Sequence, residues 1–186
     1  GDVRFVYGEG SADGARQVSQ RLWFASVNLD VWPYAAHSPF VLGTVESSLA
    51  RRVDLRVNAG IGHKMTFVDS ERSLANLSIA LLAERSRLPT AEGATITESL
   101  ARLSTRLRLR RKIGERAELG YEGFWRPEVE ALRRYTFTNS TSATYAMTER
   151  LDLKLTYLDN YDSESRSRGA RSNYDGQLVV GVAADF

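Results

Sequence analysis

Leu55-Arg-Val-Asn-Ala-Gly-Ile-Gly-His-Lys-Met-Thr-Phe67 changes face at almost every residue. Leu55, Val57, Ala59, Ile61, Met65 and Phe67 fall on one side, and Arg56, Asn58, Gly60, Gly62, Lys64 and Thr66 on the other. A period of two marks a strand with two unlike faces, because successive side chains of an extended backbone point in opposite directions. A helix would return its apolar residues every third or fourth position, and this stretch does not.

Working outward, the alternation repeats. Ala75, Leu77, Ile79, Leu81 and Ala83 share a face; so do Leu103, Leu107 and Leu109, interleaved with Arg102, Arg106, Arg108 and Arg110. Leu119, Tyr121 and Trp125 follow, then Leu151, Leu153, Leu155 and Tyr157, and finally Leu178, Val180, Val182, Ala184 and Phe186. With the weaker segments added, the pattern predicts about ten strands near 2–10, 16–32, 39–51, 54–68, 73–87, 98–111, 117–126, 133–148, 151–162 and 173–186. Ala12-Asp13-Gly14, Asp69-Ser70-Glu71, Ile113-Gly114-Glu115 and Glu149-Arg150 sit where turns are needed. No linker or low-complexity tract interrupts the series, so residues 1–186 read as one domain, a single up-and-down meander.

Composition narrows the class. The chain has 186 residues, 42% hydrophobic and 26% charged, with a formal net charge of +2. That balance excludes a disordered chain and a collagen-like repeat. The sequence pI is near 9.0, but acids and bases interleave, so no nucleic-acid partner is expected. There is no cysteine and there are only two histidines, His37 and His63, which removes thiolate chemistry and any three-imidazole site. No run approaches the ~18 apolar residues of a membrane-spanning helix. The first residues lack the layout of a signal peptide, and a cleaved leader would leave the same start.

Alternation alone does not say which face is wet. A soluble barrel turns its apolar face inward, whereas an outer-membrane barrel turns it toward lipid and encloses a polar lumen. Three features favour the second. The spacing of roughly 18 residues per strand and connection exceeds the ~8–12 of a soluble sandwich, and bilayer-spanning strands need about 9–11 residues. Aromatic residues, among them Trp23, Trp32, Trp125, Tyr135 and Tyr157, fall near strand ends, as in the girdles of membrane barrels. Phe186 ends an alternating strand, the form of the C-terminal signal read by the barrel-insertion machinery. The expected fold is therefore an all-β, antiparallel up-and-down transmembrane β-barrel of about ten strands in the bacterial outer membrane. Links near 88–98, 127–132 and 163–172 would face outside, and those near 69–72, 113–116 and 149–150 the periplasm.

The segment Asp54-Leu-Arg-Val-Asn-Ala-Gly-Ile-Gly-His-Lys-Met65, after Ser48-Leu-Ala-Arg-Arg52, resembles the glycine-centred stretch of the salt-induced outer-membrane protein family. With the strand rhythm, the Leu151–Tyr157 strand and Phe186, the resemblance extends over about residues 16–186. It implies a small bacterial outer-membrane β-barrel without catalytic residues; the barrel reading itself sets the expected partners, which are outer-membrane lipids, lipopolysaccharide, the barrel-insertion machinery and other envelope proteins.

The chemistry-bearing residues are few. With a turn centred on Gly114, Arg110 would oppose Glu118 and Arg106 would oppose Glu122. Arg102, Arg106, Arg108, Arg110, Glu118 and Glu122 thus form an expected luminal charge network, with Glu84 as a further partner. It reads as a plug of paired charges, or alternatively as an anion-selective constriction. His37 and Ser38 are adjacent, so their side chains diverge and make no nucleophile–base pair. Asp159, Asp162 and Glu164 gather near the last external loop as solvated charges or a divalent-ion contact. In the same loop, Arg166, Arg168 and Arg171 are suited to lipopolysaccharide phosphates. No enzyme, metal site or cofactor is expected. The expected role is structural or accessory, as a subunit of a larger outer-membrane assembly. The alternatives are a narrow channel for small solutes or ions and a soluble, lipocalin-like ligand-binding barrel.

Overall fold

The computed structural model describes residues 2–12, 15–49, 52–90, 93–148 and 150–184. Ten strands follow one another: β1 (Asp2–Ala12), β2 (Ala15–Asp30), β3 (His37–Ser48), β4 (Val53–Asp69), β5 (Ser73–Pro89), β6 (Thr95–Ile113), β7 (Ala117–Pro127), β8 (Tyr135–Ala146), β9 (Leu151–Asp162) and β10 (Tyr174–Ala184). They form one antiparallel sheet in sequence order. The meander read from the period-two pattern is present, and no strand boundary among the described residues lies more than three residues from its expected place. Phe186 lies outside the described residues.

The sheet curls round an interior. Arg56 on β4 reaches Asp162 on β9 at 3.5 Å, although the two strands are five places apart in the order. At roughly 4.8 Å per strand, a flat sheet would hold them about 24 Å apart. No β1–β10 pairing is present among the described residues.

Alternation now has a direction. The apolar parity points outward: Ile61 is 68% exposed, Leu81 55% and Val180 64%. The polar parity points inward, where Arg56, Asn58, Asn76, Ser78, Glu84, Ser86 and Ser104 are all buried. One apolar cluster sits among them. Phe40, Ala80 and Leu82 pack together with Leu42 against them, over Gly60 and Gly62 on β4. A Cβ on Gly62 would lie 2.5 Å from Phe40 Cζ and 2.7 Å from Ala80 Cβ, and one on Gly60 would meet Leu82 Cδ2 at 2.6 Å. The two glycines therefore make room for this packing.

The meander sorts the links to two ends. The β3–β4, β5–β6, β7–β8 and β9–β10 links lie at one, the loop end. The β2–β3, β4–β5, β6–β7 and β8–β9 links lie at the other, the turn end. The β6–β7 turn corrects one expected register. Gly114 opens this link in the left-handed region (φ 64°), a conformation cheap only for glycine, instead of forming its centre. Ile113 pairs with Ala117 across three link residues, so Arg108 opposes Glu122, Arg110 opposes Gly120, and Lys112 opposes Glu118. The expected Arg110–Glu118 opposition is not formed.

Candidate functional site

Near the loop end, side chains from five strands and one link form a charged layer across the interior. Arg56, an inward residue in the first rungs of β4 at the loop end, is its hub. Its Nη1 lies 3.0 Å from Glu46 Oε1 on β3, its Nε 3.2 Å from Glu84 Oε1 on β5, and its Nη2 3.5 Å from Asp162 Oδ2 on β9. Arg102 Nε on β6 donates to the other Glu84 oxygen at 2.7 Å, and its Nη1 donates to the Arg126 carbonyl at 3.2 Å. Ser86 Oγ donates to Glu84 Oε1 at 2.9 Å. Arg168, from the β9–β10 link, donates to Asp162 Oδ2 at 2.6 Å.

Three guanidinium groups thus meet three carboxylates. Arg56 is 4% exposed, Glu84 5% and Asp162 2%. Charges this deeply buried persist only when each is paired and hydrogen-bonded, since desolvation costs several kcal/mol per ion. Arginine suits the task because its planar fork of donors serves several carboxylates at once.

The β9–β10 link folds over this layer, burying Ser165 and Arg168. It is tied to the β7–β8 link, where Ser163 Oγ accepts from the Tyr135 amide at 3.0 Å. Arg134 in that link gathers Glu128 at 3.1 Å, Glu164 at 3.1 Å and Glu98 at 3.4 Å. Its pKa is raised: partial burial works against the charge, but Glu164, Glu128 and Glu98 outweigh it. The loop end is therefore closed by two tiers of ion pairs.

The residues singled out from sequence are distributed as follows. Arg102 belongs to the buried layer. Arg106 Nε donates to Glu122 Oε1 at 2.6 Å, diagonally across the corrected register. Phe124 lies beneath both Arg106 and Arg126, with the Arg126 guanidinium 4.5 Å from the ring centroid, a cation–π arrangement. Arg108 is exposed to the interior space, Arg110 is half-buried with its Nε unpartnered, and Glu118 is half-buried. The aromatics lie on the outward parity or in links. Trp23, Trp125, Tyr135 and Tyr157 are on strands toward the loop end, and Trp32 is in the β2–β3 link at the turn end. Tyr135 stacks on Tyr161 with ring centroids 5.3 Å apart.

Asp159, Asp162 and Glu164 do not gather. Asp162 turns inward to Arg56, Glu164 binds Arg134, and Asp159 turns outward, 3.5 Å from Asn139 Nδ2. Alternation along β9 explains this, since neighbours of opposite parity leave on opposite faces. Among the described residues no three histidine or acidic side chains are placed to hold a metal ion. Of the three loop arginines, Arg168 faces the interior and only Arg166 and Arg171 are exposed. Ser38 is fully buried, and its Oγ accepts from the Trp32 amide at 3.1 Å. His37 points away from it and stacks on His63, Nδ1 to Nε2 at 3.2 Å.

Glu46 and Arg56 are not singled out from sequence, Arg168 is expected to meet phosphates outside and not Asp162, and the Asp162–Arg56 contact is not anticipated. Glu46 and Arg56 stand directly opposite each other on β3 and β4 only because the register shifts between Glu46 and Ser48. Centring the link at residues 49–52, as the Ser48–Val53 pair does, would have set Glu46 opposite Leu55. Nothing local announces Asp162, because its contact with Arg56 exists only once the sheet has curled.

No curated protein and no solved structure matches the chain. The profile of one family matches residues 2–186, nearly the whole length. The chain belongs to that family, which is described as protein of unknown function, DUF481.

Proposed function

We propose that this chain is a closed, plugged β-barrel of the bacterial outer membrane with a structural or accessory role in the envelope. The observation that supports it is the inversion of the usual burial pattern. Large apolar side chains cover the outside of the strands while charged and polar ones are buried inside. A soluble protein rarely exposes an apolar surface extending over a whole sheet. Lipid is the solvent that suits such a face. With ten strands in an up-and-down order, β1 and β10 run antiparallel, so their edges can pair and leave no open edge in the bilayer. The outward aromatics then lie at the two interfaces, in contact with lipid headgroups and lipopolysaccharide. The resemblance of Asp54–Met65 to the salt-induced outer-membrane proteins agrees with this location. The insertion machinery would place the barrel in the membrane.

The ion-pair layer argues against the narrow-channel alternative. Arg56, Arg102, Glu46, Glu84 and Asp162 satisfy one another across the interior at 2.7–3.5 Å, and the β9–β10 link covers them. A barrel of about eight strands leaves room only for side chains, and open channels belong to larger ones. What remains for such a barrel is to anchor, or pack against, other envelope components.

The test is fractionation of native membranes followed by mild detergent extraction and native sizing. Retention in the outer-membrane fraction through an alkaline wash, with release by detergent alongside other proteins, is the expected result. Release without detergent would overturn the membrane reading. Migration as a lone small barrel would overturn the accessory role, and step conductance of the wild-type protein in planar bilayers would overturn the plug.

A further inference from the structure

Below the charged layer the interior opens into a cavity of about 640 Å³, within the ~300–1,000 Å³ of small-molecule sites. Its walls differ in character. One is apolar, with Leu22 and Phe24 from β2 and Phe40 and Leu42 from β3; the other carries Arg106 and Arg108 from β6. The apolar wall is unusual for the polar lumen of a membrane barrel, and water against it is unfavourable unless something covers it.

The charged wall is not neutralised. Glu122 opposes Arg108 in the ladder but gives its carboxylate to Arg106, and Arg108 has no ion-pair partner among the described residues. Beside it, across the β5–β6 ladder, stands Asn76. Asn76 is 7% exposed and lines the cavity, with its Oδ1 buried and unpartnered. The free guanidinium makes a cationic anchor, and an apolar wall shares the chamber with it. The charged layer and the β9–β10 link cover the cavity at the loop end.

We propose that this cavity binds a single-chain amphipathic anion, with its acidic head on Arg108 and its aliphatic chain along Leu22, Phe24 and Leu42. Both a free fatty acid and a single-chain phospholipid have this chemistry. Arginine holds either head through charge-assisted, bidentate hydrogen bonds. The proposal rests on the interior of the curled sheet and not on the membrane placement. A soluble barrel would give the same luminal contacts, so failure of one reading is distinguishable from failure of the other.

The experiment is photo-crosslinking of the purified protein in proteoliposomes with diazirine-bearing decanoate, lysophosphatidate and decanol, followed by peptide mapping. Decanoate or lysophosphatidate should label the luminal residues of β2 and β3, and the stronger of the two identifies the source of the head group. Arg108→Gln should lower that labelling about tenfold, Arg108→Lys should keep most of it, and Phe24→Ser should also lower it. Retained protease resistance identifies the variants that still fold. Equal luminal labelling by decanol would overturn the role of the anion. Labelling confined to outward residues such as Ile61 and Leu81 would overturn the site, as would Arg108→Gln labelling at the wild-type level.

Discussion

Replacing Arg56 with methionine tests the plug at its hub. The substitution keeps an unbranched side chain of similar reach and removes the one cation of this layer that touches three carboxylates. Arg56 sits 3.0 Å from Glu46, 3.2 Å from Glu84 and 3.5 Å from Asp162, and it is 4% exposed. After the change, Glu84 retains Arg102 and Asp162 retains Arg168, while the layer carries one uncompensated negative charge. Removing one partner of a buried pair costs about 3–5 kcal/mol, roughly a hundred- to several-thousand-fold in the folding equilibrium. Exposed pairs seldom reach 1 kcal/mol. The assay is urea unfolding in lipid vesicles, followed by tryptophan fluorescence. Adding Glu46→Gln removes one negative charge from the layer, so the double variant should regain about half of the loss or more. A loss below about 1 kcal/mol for Arg56→Met would mean that water reaches the layer. The interior would then not be plugged there.

Three further substitutions probe separate parts of the fold. Gly62→Ala places a methyl 2.5 Å from Phe40 Cζ and should cost about 1–3 kcal/mol as overpacking. Gly181→Ala, with nothing within 4 Å, should leave the same unfolding midpoint unchanged or slightly raised; equal effects would sink the packing argument. Arg168→Met frees the β9–β10 link from Asp162, so limited proteolysis should cut within residues 163–173 in the variant and spare the wild type. Arg106→Glu sets two carboxylates together where Arg106 now bonds Glu122. Both side chains are partly exposed, so the penalty should be about 1 kcal/mol and shrink with added salt; a salt-independent change would argue against an ionic cause.

The legible and illegible parts of this molecule divide along one physical line. Side-chain parity is local, because each residue's face follows from its neighbour's, and so the ten strands and the two faces could be read from runs such as Leu55–Phe67. Register is less local. It depends on the link, and at the β6–β7 turn one residue's difference in the centre moved Glu122 from Arg106 to Arg108. Long arginine side chains conceal such slips, since Arg106 still reaches Glu122 diagonally. Contacts across the interior have no local signature, and the Arg56–Asp162 pair joins residues whose strands are never neighbours in the sheet. The candidate site is built mainly from contacts of this last kind.

The same division explains why the interior carries the functional argument. Outward residues need only be apolar and of strand-forming type, so many sequences satisfy that face equally. An inward charge is tolerated only when its partners arrive from other strands at hydrogen-bonding distance. Glu46, Arg56, Glu84, Arg102 and Asp162 meet that demand from five strands, and Arg168 meets it from a link. Arg108 does not, although Arg106 one rung away is matched. Arg110 on its other side also has no ion-pair partner among the described residues but does not line the cavity, so Arg108, beside the apolar wall, is the position at which a ligand would supply what the chain leaves out.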